Sequence, residues 1–228
     1  MDRDVKGSQP QTAPGQARTR RTRIAVVEAA RALFLERGYG GTTIEAISEL
    51  SDTPQATVYR LFSSKLGILK AVLDLSIAGD DQPIAMLDRP QVRALISDPD
   101  PLNQLAGFAA LLRDLMGRSA AVHRILADAA RSDREAARLL AEITRQRHEG
   151  QRRIARSLAR TGALQAKLRE RDAADIIHAL ASPEVYGLLV LDRGWSAERY
   201  ETWLRQILID QLLPRDRRGG RRAPSPSR

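Results

Sequence analysis

The sequence predicts an all-α chain: a small N-terminal helix-turn-helix unit of three helices, followed by a larger helical domain. Three observations carry this. Ala, Leu, Glu and Arg dominate residues 21–213, strict apolar/polar alternation is absent, and no β-branched run is bounded by turn residues. With 228 residues and 43% hydrophobic content the chain can bury a core, which excludes wholesale disorder. Cysteine is absent, so disulfides, thiolate metal sites and cysteine catalysis are excluded. No apolar run is read as a membrane span or signal peptide, so the expectation is a cytoplasmic protein with no membrane partner.

The first helix is expected over Arg21–Arg37, with Ile24, Val27, Ala30 and Phe34 on one face, widened by Val26 and Leu33. Gly38 stops it, and Tyr39, Gly40 and Gly41 form the turn. Thr42-Thr43-Ile44-Glu45 offers a capping box, with Thr42 as cap and Glu45 reaching back. The short second helix shows Ile44, Ile47 and Leu50. Thr53 is expected to cap a third helix that starts at Pro54, ends near Leu61 and turns Val58 and Phe62 inward. Ser63-Ser64 then caps a fourth helix with Ile68, Leu69, Val72 and Leu73 inward. Short helices joined by a tight turn outline a helix-turn-helix, which is also compatible with a plain three-helix bundle.

Charge is unevenly distributed. Of the formal +9, residues 1–23 carry +4 and residues 214–228 carry +5, leaving a neutral middle. Both tails are rich in Pro, Gly, Ser, Gln or Arg and are expected to be disordered, over 1–20 and 214–228. Basic arms suit a polyanion such as nucleic acid, or serve solubility.

The stretch Thr22–Leu73 closely resembles the DNA-binding domain of the TetR (tetracycline repressor) family, through ALFLERGYGGTTIEAI and TPQATVYRLFSSK. The resemblance implies a DNA-binding domain over 21–75, with the third helix in the major groove, presenting Gln55, Ala56, Thr57, Tyr59 and Arg60. Gln55 suits an adenine edge, Arg60 guanine or phosphate, and Ala56 or Thr57 a thymine methyl. Thr43, Tyr59 and Lys65 are implied as phosphate contacts and Thr42 as a further DNA-binding residue. Arg21 and Arg23, with Arg18 and Arg20, form a basic arm before the first helix that suits the DNA backbone or minor groove. Asp52 stands where the family has glycine, Pro54 where it has serine, and Leu66-Gly67 follow the lysine where an acidic residue is usual. A loose start to the fourth helix is therefore expected.

The resemblance further implies an effector-binding and dimerisation domain over 76–213. Helical patterns run at roughly 101–117, 119–130, 133–161, 171–192 and 196–213, after a broken region around Gly79–Pro83 and Asp98–Pro101. The segment Ala179–Leu213 is similar to the C-terminus of a TetR subgroup common in actinobacteria. Two striped helices there imply a homodimer interface through Ile177, Leu180, Tyr186, Leu188, Tyr200, Trp203, Leu204, Ile207, Leu208 and Gln211, with Pro183 as a kink. The same stripes also suit an intramolecular core.

Phe108 is the only aromatic across residues 63–185. A pocket lined by Leu105, Phe108, Leu112, Met116 and Leu126, with His123 and His148 as polar contacts, suits a small, mainly apolar effector; a filled core suits the pattern equally. His123, His148 and His178 lack metal spacing, so no metal or cofactor is expected. The run Arg145–Arg156 reads as the solvated face of a long helix, or as a site for an anionic effector. No nucleophile–base set or phosphate loop points to an enzyme. The expected function is a regulator, as a repressor, on a palindromic operator; the alternative is a sequence-tolerant architectural DNA binder driven by its arginine-rich tails.

Overall fold

The computed structural model describes residues 14–80, 82 and 84–215, and among them every regular element is helical. They divide into two compact units, one ending at Val72 and the other starting at Leu73.

In the first unit, α1 (Pro14–Gly41) buries Val26, Val27, Ala30, Leu33 and Phe34. It begins seven residues before the expected Arg21, so residues 14–20 are helical rather than disordered; the rest of the expected arm, 1–13, lies outside the described residues. Proline is tolerated at a helix start, and the Thr19 hydroxyl donates to the Gly15 carbonyl at 3.0 Å, so nothing in Pro14–Arg20 opposes a helix. At Gly38 the backbone leaves helical geometry (φ 70°, ψ 178°), a conformation that a side chain disfavours.

Helix α2 (Ile44–Leu50) is capped by Thr43, whose hydroxyl accepts from the Ala46 N–H at 3.1 Å. The expected capping box on Thr42 is therefore displaced by one residue. Thr42 is buried instead, and its hydroxyl is shared between the carbonyls of Leu33 and Gly38 at the end of α1. Asp52 takes the left-handed conformation (φ 47°) expected of it in the turn. Helix α3 (Gln55–Phe62) then starts one residue later than expected. Thr53 is not its cap: its hydroxyl donates back to the Ser51 carbonyl, and Pro54 occupies the cap position without a side-chain bond. Val58 and Phe62 face the core as expected.

Helix α4 (Lys65–Ala78) is held at its start rather than loose. The Ser64 hydroxyl accepts from the Gly67 N–H at 3.0 Å. A Cβ on Gly67 would lie 2.1 Å from the Phe62 carbonyl oxygen, so glycine is needed for the close passage from α3. Lys65 donates to the carbonyls of Tyr39 (2.7 Å) and Thr42 (2.8 Å), with its ammonium 4.3 Å from the centre of the Tyr39 ring. Arg23 donates to the Leu61 carbonyl at 3.1 Å and lies over the Phe62 ring. These two cations join the start of α4 to the α1–α2 turn, and α1 to the end of α3.

In the second unit, the region expected to be broken contains α5 (Pro90–Ser97), with Val92 buried, preceded by a short 3-10 turn at Met86–Asp88. Asp80 receives both Nη atoms of Arg89 at 2.7 Å, closing the segment that follows Gly79. Helix α6 (Pro101–Ala129) is continuous where two helices were expected: Gly117 is exposed, and one glycine inside a helix costs only about 1 kcal/mol relative to alanine, too little to break it. Helix α7 (Arg134–Arg160) is capped by Asp133, and α8 (Glu170–Leu180) packs along it. The chain leaves helical geometry at Ala181 and restarts under a Ser182 cap as α9 (Pro183–Tyr186), continuing as a π-helical turn to Asp192. Pro183 thus marks a break rather than a kink. Helix α10 (Ala197–Leu212) packs on α6.

Leu105, Phe108, Leu112 and Met116 of α6, Ile154 and Leu158 of α7, Ile177 of α8, Tyr186 of α9, and Tyr200, Leu204 and Leu208 of α10 form one apolar cluster. Contrary to expectation, the 23 residues Glu170–Asp192 are long and apolar enough, by length and composition alone, to cross a membrane. Here the stretch is broken at Ala181–Ser182, and Ala173, Ala174, Ile177 and Tyr186 are buried in this cluster.

Two outcomes are expected. Replacing Lys65 by Met leaves two carbonyls unpaired and should destabilise the first unit by about 1–3 kcal/mol; native-state hydrogen exchange across α1 and α2 reads it, and unchanged protection would contradict the role of the lysine. The Arg89 hydrogen bonds hold the Asp80 carboxyl at about 2, below its ordinary 3.8. The stability this pair contributes is complete above about pH 4 and drains away as pH falls toward 2. Acid unfolding of Asp80→Asn should be flatter than wild type in that window.

Candidate nucleic-acid interface

Helix α3 has two unlike faces. Val58 and Phe62 are buried, whereas Gln55, Ala56, Tyr59 and Arg60 are exposed, Tyr59 by 51%. Positions 55 and 59, and 56 and 60, are one helical turn apart, so these four side chains form a single outward stripe. Thr57 is half-buried at its edge. The stripe carries an amide, a methyl, a phenol and a guanidinium. Such a set can read base edges in a major groove through hydrogen bonds and thymine-methyl contact, and can grip phosphate at its margin. Thr43, exposed at the N-terminus of α2, stands where free backbone N–H groups favour an anion.

Three residues read from the sequence as DNA contacts are placed differently. Thr42 is fully buried, with its hydroxyl used within the unit. Lys65 directs its ammonium at the Tyr39 and Thr42 carbonyls, 26 and 23 positions earlier in the chain. Arg23 clasps Leu61 and Phe62. The partners of Arg23 and Lys65 lie more than twenty positions away in sequence, beyond the reach of local pattern, whereas those of Thr42 lie within nine. Arg21 is exposed, as are Arg18 and Arg20 one turn or less before it. The helical start of α1 therefore presents a basic cluster.

The residues expected to line an effector pocket are in the second unit. Leu105, Phe108, Leu112, Met116 and Leu126 are all buried, the first four within the apolar cluster. His123 is buried as well, and desolvation lowers its pKa. His148 is at the surface, its Nε2 3.3 Å from Asp175 and its ring edge-on to His178 at 4.9 Å. Arg147 departs from the solvated reading of its run. It turns inward and donates to the carbonyls of His178 (3.2 Å) and Ala181 (3.4 Å).

Of the residues read as a dimer interface, Ile177, Tyr186, Tyr200, Leu204 and Leu208 are buried within their own unit, which removes them from the free surface. Leu180, Trp203 and Ile207 are half-buried, Gln211 is exposed, and Leu188 is 60% exposed with Leu191 beside it at 45%.

Residues 26–72 match the family model described as bacterial regulatory proteins, tetR family. A helix-turn-helix-type transcriptional regulator of Bacillus subtilis (strain 168), YdeS, is 29% identical over 182 residues, covering 79% of this chain and 84% of its own. The solved structure of NalD, the secondary repressor of the MexAB-OprM multidrug efflux pump in Pseudomonas aeruginosa, superposes with a TM-score of 0.66 at 22% identity, over 86% of this chain and 99% of its own. FadR of Bacillus subtilis, solved in complex with stearoyl-CoA, has a TM-score of 0.65 at 16% identity, over 82% of this chain and 97% of its own. Residues 26–72 therefore carry the helix-turn-helix of the TetR family of bacterial regulatory proteins, the unit built here around α2 and α3, and the likeness over the rest of the chain supports a transcriptional regulator of that family.

Proposed function

We propose that the protein is a homodimeric repressor that binds a palindromic operator through α3 and releases it when a small, mainly apolar effector binds the second unit. The observation that carries the reading is the outward stripe of Gln55, Ala56, Tyr59 and Arg60 on a helix whose other face is fixed in a core. Residues 21–75 serve as the DNA-binding domain and 76–213 as the effector and dimerisation domain, and the DNA target implies a cytoplasmic location. The outward apolar side chains of Leu188 and Leu191 support a two-fold interface, since exposed apolar patches mark contact sites. Such a dimer would set two recognition helices about 34–36 Å apart, one turn of DNA. The stearoyl-CoA complex of FadR supports a ligand role for this fold. The requirement on the effector is modest: about 1–3 kcal/mol of coupling changes occupancy measurably.

A second reading rests on the exposed Arg18, Arg20 and Arg21: a sequence-tolerant binder held by phosphate contacts alone. Fluorescence anisotropy on fragments from the gene's own neighbourhood, against random competitor, separates the two. Gln55→Ala and Arg60→Ala are each expected to cost about 1–3 kcal/mol on the preferred fragment and to weaken random-DNA binding little. Equal losses on both DNAs would favour the second reading. For the dimer, Leu188→Glu should shift sedimentation from dimer to monomer at micromolar protein; an unshifted dimer would move the interface elsewhere.

A further inference from the structure

The second unit contains a polar network wired through an otherwise apolar interior. Gln151 of α7 donates to the Ala181 carbonyl at 3.2 Å, and its Oε1 lies 2.7 Å from His178 Nδ1. That oxygen can only accept, so Nδ1 carries the proton and Nε2 of neutral His178 is left as an acceptor. Arg147 Nη2 meets this Nε2 at 3.3 Å, while Nη1 donates to the carbonyls of His178 and Ala181. Burial and the neighbouring Arg147 both hold the His178 pKa down, in keeping with the neutral ring.

Two donors are left over. Arg147 Nε and Tyr200 Oη are both buried and lack a hydrogen-bond partner among the described residues. Tyr200 is fully buried, its ring 4.7 Å from that of Tyr186. The two groups act on each other electrostatically, and His123 of α6 and Glu184 of α9 act on Arg147 or on each other in the same cluster. Desolvation works against the Arg147 charge, and the attraction of the exposed Glu184 carboxylate and of the Tyr200 phenol offsets it only in part. A guanidinium has no acceptor capacity, so Nε can be satisfied only by an incoming acceptor. Buried donors left unpaired are costly, and a guanidinium paired with a carboxylate is among the stronger hydrogen-bonded arrangements.

An apolar groove of about 780 Å³ leads to the edge of this network. Ala137, Leu140, Ala141 and Thr144 of α7 line most of it, together with the charged Arg145 and Asp175 and with His148 and His178, the last being the residue whose Nε2 meets Arg147. Its size is that of a site for a small organic molecule.

We propose that the effector is a monocarboxylate with an apolar body, its carboxylate received by Arg147 Nε and Tyr200 Oη and its body by the α7–α8 groove. This rests on the effector-responsive reading above and gives that effector a chemical class. Arg147 is the positioning charge, and Tyr200 supplies a hydroxyl that the protein itself does not use.

The test is titration calorimetry of the full-length protein with straight-chain carboxylates from butanoate to decanoate and with the primary alcohols of equal length. The carboxylate is expected to bind at least about tenfold more tightly than its alcohol. Tyr200→Phe should weaken carboxylate binding about tenfold, the scale of one hydrogen bond to a charged group, leave the alcohol unchanged, and melt no lower than wild type. Arg147→Gln should abolish the preference. It also loses contacts to two carbonyls and can unfold the unit, so Tyr200→Phe is the decisive variant. Equal affinity for acid and alcohol, no carboxylate binding at any length, or an unchanged Tyr200→Phe would each overturn the proposal. Operator binding by the same samples separates the two levels: specific DNA binding without carboxylate preference removes only this site. Carboxylate preference without specific DNA binding keeps the site and removes the regulator.

Discussion

The DNA-reading unit depends on one buried-side ammonium. Lys65 opens α4, yet its charge is used at the α1–α2 turn, where it meets the Tyr39 and Thr42 carbonyls and the Tyr39 ring. Those carbonyls exist in that orientation because Gly38 takes the chain out of helical geometry and Thr42 turns its own hydroxyl back onto the end of α1. With the turn fixed, Thr43 is free to cap α2, α2 ends at Leu50, and the left-handed Asp52 turns the chain toward α3. Arg23 holds the far end of α3. The exposed stripe of α3 is therefore presented by a scaffold whose polar groups are spent on one another, the condition for a helix that must keep its aim against a groove.

Much of this was legible in the sequence because it is local. The apolar stripe of α1, the stop at Gly38, the left-handed Asp52, the inward Val58 and Phe62, and the serine cap before α4 each follow from spacing within a few residues. What was misread was the division of labour between adjacent, chemically equivalent groups. Thr42 and Thr43 are equally good caps by residue type, and the carbonyls of Leu33 and Gly38 within reach of Thr42 go with its inward turn. Lys65 and Arg23 also hold the unit together, through partners more than twenty positions away that no local pattern marks. Gly67 looks like a weakness in α4 and is instead required by the Phe62 carbonyl.

In the second unit, the amphipathic stripes were visible but their orientation was not. A helix with apolar residues on more than half its circumference offers one face to its own core and another to a partner, and periodicity does not label them. Ile177, Tyr186, Tyr200, Leu204 and Leu208 take the inner role, while Leu188 and Leu191 remain outside. The same ambiguity hid Arg147. In a helix as arginine-rich as α7, an inward arginine has no local mark, and only the carbonyls exposed where α8 ends at Ala181 draw it in.

That break after α8 links the fold to the chemistry of its interior. An uninterrupted helix from Glu170 to Asp192 would use the Ala181 carbonyl in its own ladder, whereas the stop at Ala181 releases it to Gln151 and Arg147. The arginine is thereby anchored through its Nη atoms, with Nε left facing an interior that offers it nothing. Tyr200 poses the same question in simpler form. A phenylalanine would fill the same space against Tyr186, so the hydroxyl adds no packing, and leaving it buried and unpaired costs about 1–3 kcal/mol. Two unpaired donors in one cluster, one of them charged, work against folding. Groups that a fold carries at such a cost are expected where a site, rather than the core, determines the residue.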